Sequence, residues 1–77
     1  MEKYTVILHS LEQVQEFIHA IEKIPFHMDI GAGAVVIDAK SIQGIISMGL
    51  NKKLPLTVHG ELTAEMKKEL ISFIVTE

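Results

Sequence analysis

The sequence predicts a small two-layer α+β sandwich in the order β-α-β-β-α-β-α. Three observations carry that expectation. Segments near both ends and in the middle of the chain alternate apolar with polar residues, the pattern of antiparallel strands with one wet face. Three other segments place apolar residues three and four apart, each behind a Ser or Thr, the pattern of capped amphipathic helices. The chain has 77 residues, is 48% hydrophobic and contains no cysteine, which describes one uncrosslinked domain over 1–77 with a single core.

Residues Lys3 to His9 read as the first strand, with Tyr4, Val6 and Leu8 on one side and Lys3, Thr5, Ile7 and His9 on the other. Ser10-Leu11-Glu12-Gln13 then reads as a capping box. Leu11, Val14, Phe17, Ile18, Ile21 and Ile24 form the apolar face of a helix that Pro25 ends. Phe26 to Ile30 alternates again, Gly31-Ala32-Gly33 supplies turn residues, and Ala34 to Ala39 returns as a β-branched strand, so a hairpin is expected. Ser41 caps a short helix through Ile42, Ile45, Ile46 and Met48, weakened by Gly44 inside and closed by Gly49. Leu54, Leu56 and Val58 point inward from the last strand, where Pro55 leaves a gap in the ladder. Thr63 caps a final helix with Glu65 in its first turn and Met66, Leu70, Phe73 and Ile74 as its buried stripe. Phe17, Ile21, Ile45, Leu56, Val58 and Leu70 are expected to share one core.

Composition excludes several function classes. Without cysteine there is no thiolate metal site and no Cys nucleophile. All 7 basic residues are Lys, against 10 acidic ones, so no guanidinium is present to hold a phosphate bidentately. Net charge −3 and 5% aromatics disfavour nucleic acid as a partner. Apolar runs such as Ala32 to Ile37 are too short to cross a bilayer. No basic segment followed by an apolar one opens the chain, so a cytoplasmic protein is the expectation, with no membrane partner and no cofactor.

One stretch carries a resemblance. Ile37-Asp38-Ala39-Lys40-Ser41-Ile42-Gln43-Gly44-Ile45-Ile46-Ser47-Met48-Gly49, with Leu54 to Gly60 and Phe26 before it, resembles HPr, the small phosphocarrier of the phosphoenolpyruvate-dependent sugar phosphotransferase system. The resemblance implies a four-stranded antiparallel sheet in the order 1-4-2-3 with the helices on one face. It also implies partners among the proteins of that system or a regulatory partner. Family members carry Gly-Ile/Leu-His-Ala-Arg-Pro-Ala at the entry to the first helix, where the His takes a phosphoryl group. Counting back from Phe26 without gaps places that His at Glu12, and Gln13, Val14 and Gln15 replace the next three residues. The expectation is therefore an HPr-like regulatory or protein-interaction module that lacks the phosphoryl-accepting histidine.

Other candidate residues follow. His9, just before the Ser10 cap, is either a displaced phosphoryl acceptor at a positive helix end or an exposed strand-end histidine. Ser41 matches the serine that a dedicated kinase phosphorylates in HPr of many Gram-positive bacteria, while an N-cap role is sufficient by itself to account for it. Ile42, Gln43, Ile46 and Ser47 are the candidate docking residues, Gln43 standing where the family usually has an apolar one. His27 and His59 share the wet side of their strands with Asp29, and in the order 1-4-2-3 the three would gather at one end of the sheet, a donor set able to hold Zn²⁺. His19 borders the apolar stripe of the first helix, and Glu12 with Glu16 reads as a solvated helix face.

Overall fold

The computed structural model describes residues 1–75, Ala32 by its backbone alone. The elements run β1 (Glu2–Ile7), α1 (Leu11–Ile21), β2 (Met28–Ala32), β3 (Val35–Asp38), α2 (Ile42–Met48), β4 (Lys53–Val58) and α3 (Ala64–Leu70). The sheet is antiparallel throughout in the order β1-β4-β2-β3. All three helices cover one face, with α1 packed against both α2 and α3. This is the open-faced sandwich that the alternating strands require, since their wet side needs no second layer.

Each helix begins as its cap dictates. The Ser10, Ser41 and Thr63 hydroxyls accept from the N–H three residues on, at 3.1, 3.2 and 3.2 Å. The Gln13 side chain reaches back, but it accepts from the His9 N–H (2.7 Å), one residue earlier than the ordinary box. Helix α1 ends at Ile21, before Pro25. The Lys23 and Ile24 N–H groups close tight turns onto Ala20 and Ile21, so the chain has left the helix when proline arrives.

The core joins both layers. Phe17, Ile21, Ile45, Leu56, Val58 and Leu70 are all fully or almost fully buried, as expected from their spacing. Phe17 meets Phe73 edge to face, with ring centroids 5.3 Å apart. Leu11 departs from expectation. It stands on the helical period but remains 55% exposed, because the first turn of α1 projects past the sheet-facing core.

The hairpin is tighter than its composition suggests. Ala32 pairs with Val35, so only Gly33 and Ala34 form the loop. Gly33 takes φ 68°, the positive value that such short turns demand. Gly31 belongs to β2, with φ 114°; a Cβ there would lie 2.2 Å from the Val35 carbonyl oxygen.

Pro55 sits in an interior strand without a clash. The His59 N–H donates to the His27 carbonyl on the β2 side. By strand parity the missing Pro55 N–H would also face β2. The β2–β4 ladder stops at Ile30 opposite Leu56, one residue short of it.

The segment after α3 differs from the helical reading. Phe73 and Ile74 lie beyond the helix, and Ile74 bridges Val6. Phe73 accepts from the Ile7 N–H (3.1 Å) and the Val75 N–H donates to Thr5 (2.8 Å). The outer edge of β1 offers unpaired backbone groups, and pairing with them outweighs continuing the helix. No helix among the described residues is long and apolar enough to cross a membrane.

Candidate functional site

Two regions gather the residues singled out above. The first is where α1 begins beside α2. The Lys40 ammonium donates to the Ile24 carbonyl after α1 (3.2 Å), and the Asn51 N–H donates to Leu8 before α1 (2.8 Å). The two helices therefore run antiparallel, with the start of α1 beside the end of α2. Asn51 takes φ 61°, a left-handed conformation that Asn tolerates well. Its side-chain oxygen lies 2.7 Å from Nδ1 of His9, which is exposed at the mouth of α1.

That mouth is already furnished. The Gln13 N–H donates to Ser10, and the His9 N–H to the Gln13 side chain. Glu12 lies in the first turn of α1, exposed, and adds negative charge there. An arriving phosphate would meet a Gln13 N–H already engaged and an acidic neighbour, with no arginine in the chain to draw it in.

Helix α2 buries only Ile45. Gly44 lets it lie close on β3, since a Cβ there would come 2.7 Å from the end of Ile37. Its other face is open: Ile42 is 38% and Ile46 42% exposed, and Gln43 and Ser47 are exposed beside them. The Ser47 hydroxyl donates to the Gly44 carbonyl (2.6 Å) and Ser41 is exposed at the cap. Leu11, exposed in the first turn of α1, lies at the helix start that stands beside the end of α2. The periodicity of α1 assigned it to the core, so only its place in the first helical turn signals an outward role.

The second region is the open sheet face at the end where β2 and β4 meet. Nε2 of His27 lies 2.8 Å from Oδ1 of Asp29, and Nε2 of His59 lies 2.7 Å from Oδ2. The hydrogen bond from His59 is the main cause holding the Asp29 carboxyl below its ordinary range; burial opposes it and the nearby His27 charge assists. The strand parity and the order 1-4-2-3 together bring these three residues into contact, as expected. His19 stays on the solvated side of the last turn of α1, and Glu16 is exposed.

A third polar contact lies at the same end of the sheet, on β1. The Tyr4 hydroxyl donates to Glu2, whose other oxygen accepts from the Leu62 N–H (3.3 Å). Burial and the Glu2 carboxylate push the Tyr4 phenol up to about 12, while the same hydrogen bond lowers the Glu2 carboxyl. A groove of about 220 Å³ between the end of α1 and α3 is lined in part by Lys23, Met66 and Glu69 and contains no histidine.

Comparison with known proteins gives the fold a precedent. The chain superimposes on the crystal structure of HPr-C-His from Thermoanaerobacter tengcongensis with a TM-score of 0.71 and 23% sequence identity, over 94% of this chain and 89% of that one. No protein-family model matches the sequence, and no curated protein matches it. At that identity the likeness shows the fold: the element order, the 1-4-2-3 sheet and the one-sided helices are those of HPr.

Proposed function

We propose that this chain is an HPr-fold interaction domain that docks a protein partner through the α1–α2 surface and carries no phosphoryl group on Glu12. The observation that supports it most is the exposure of Leu11 at the start of α1 and of Ile42 and Ile46 along α2. Aliphatic side chains left in water beside a rigid helix pair are what an apolar interface core needs. The fold suggests partners among proteins of the sugar phosphotransferase system or their regulators. A cytoplasmic setting belongs to the same proposal.

Ser41 is the proposed regulatory position. A phosphate on its hydroxyl would stand at the first turn of α2, directly beside Ile42. Docking and capping then separate by mutation. Ser41→Asp keeps a capping oxygen, so stability should hold, but its charge should weaken the complex. The test is titration of the ¹⁵N-labelled chain with the first enzyme of the phosphotransferase system and with HPr-dependent regulators. Shifts should cluster at Leu11, Ile42, Gln43, Ile46 and Ser47, and Ile46→Lys should abolish them. Shifts that cluster on the open sheet face, or that survive Ile46→Lys, would defeat the reading.

A second reading is phosphoryl transfer to His9. The exposed ring, one residue before the cap and with one nitrogen steadied by Asn51, is the observation that favours it.

A further inference from the structure

We propose that His27, Asp29 and His59 bind one divalent transition-metal ion of the Zn²⁺ type on the open face of the sheet. The site is built by backbone regularity rather than by a loop. His27 immediately precedes β2 and Asp29 lies within it, two residues apart along an extended backbone that the His59–His27 bond continues, so they share a face. His59 follows β4, and its N–H donates to the His27 carbonyl at 2.9 Å, so the two histidines are cross-strand neighbours. Opposed residues in an antiparallel pair hold their Cβ atoms about 4.5–5.5 Å apart, and the ring centroids here lie 5.3 Å apart with a 30° tilt. Each residue offers one ligand atom, and all three atoms lie within 4.8 Å of one another.

The chemistry of this set selects the ion. Two imidazoles and a carboxylate are the donors that Zn²⁺ takes at roughly 2.0–2.2 Å, with the fourth position left to water. Mg²⁺ and Ca²⁺ prefer oxygen and would gain little from the rings. The side chains are 60%, 24% and 40% exposed for His27, Asp29 and His59, so an ion reaches them from solvent and keeps its water. Asp38 stands opposite Asp29 in the β2–β3 register and adds negative charge to the same face. With both Nε2 atoms donating to Asp29, neutral rings carry their proton there. Binding releases that proton to solvent while Nδ1 takes one up, so each ring turns from hydrogen-bond donor to ligand without a net change in protons.

The experiment uses the full chain without a polyhistidine tag. Zn²⁺ alone is titrated by calorimetry and Co²⁺ by visible absorption, beside Asp29→Asn, His59→Gln, His9→Gln and His19→Gln variants. One equivalent should bind, with the affinity lowered at least about tenfold in Asp29→Asn and in His59→Gln and unchanged in the other two. The ¹⁵N signals of the wild-type imidazoles give a readout independent of any variant: Zn²⁺ should move those of His27 and His59 and leave His9 and His19 in place. Absence of binding up to about 1 mM Zn²⁺, or movement of the His9 or His19 signals instead, would overturn the proposal.

Discussion

Leu56→Ala removes the centre of the sheet's inner face. Leu56 is fully buried in β4, between Tyr4 of β1 and Ile30 of β2 in the register. Both neighbours are fixed by backbone ladders, so the walls of the cavity have little freedom to collapse. Losing three carbons forfeits about 2.4 kcal/mol of transfer energy at about 0.8 per methylene, and the unfilled cavity raises the cost to about 3–4 kcal/mol. A chain of 77 residues has roughly 4–12 kcal/mol of stability at about 0.05–0.15 per residue, so the variant loses a large share of it. The midpoint of thermal unfolding should fall by about 12–30 °C, at about 4–8 °C per kcal/mol. Thermal unfolding followed by circular dichroism reads the midpoint, and urea unfolding reads the free-energy loss. Leu11→Ala is the paired control: on the exposed first turn it should cost less than about 0.5 kcal/mol. Equal costs at the two positions would refute the assignment of faces on which both the core and the docking surface rest.

Other expectations follow from the backbone and the titrating groups. Gly31→Ala should destabilise by at least about 2 kcal/mol, since its Cβ meets the Val35 carbonyl oxygen at 2.2 Å, while Gly33→Ala, with open space around it, should cost only about 1 kcal/mol from its positive φ. Chemical unfolding of both variants checks the contrast. The Asp29 and Glu2 carboxyls are depressed in the folded chain, so their stabilisation is present above their unfolded pKa and is lost as pH falls through the folded values. Stability measured against pH should decline on the acid side, and Asp29→Asn should flatten that decline. Tyr4 is raised to about 12 from an ordinary 10.0, so its contribution is complete below the unfolded value and fades as pH rises through about 12. Ultraviolet titration of this single tyrosine, in the wild type and in Glu2→Gln, reads the shift.

What the sequence disclosed was local chemistry. Ser10, Ser41 and Thr63 could be read as caps because a hydroxyl followed by a helical period acts within three residues, and all three engage that N–H. Leu54, Leu56 and Val58 betrayed their face by alternation alone. What escaped depended on partners distant in the chain. Phe73 and Ile74 fit a helical stripe, yet the free edge of β1 drew them into strand-like pairing. Leu11 fits its stripe equally well, but no core surface reaches the first turn of α1. Gly31 read as a turn residue because composition does not distinguish a hairpin loop from a kink at the end of a strand. The histidine cluster lay between these cases: parity assigned its face, while contact required the order 1-4-2-3, which periodicity does not encode and the HPr resemblance supplied.

The HPr fold is proposed to work here without phosphocarrier chemistry. Incubation of the chain with radiolabelled phosphoenolpyruvate and the first enzyme of the phosphotransferase system tests it most directly, with an active HPr in a parallel reaction. The proposal predicts that HPr becomes labelled and this chain does not, because an ungapped count from Phe26 puts Glu12-Gln13-Val14 at the accepting motif and the chain has no arginine. Acid-labile phosphohistidine on this chain, lost in His9→Ala, would contradict the account and make His9 a working acceptor.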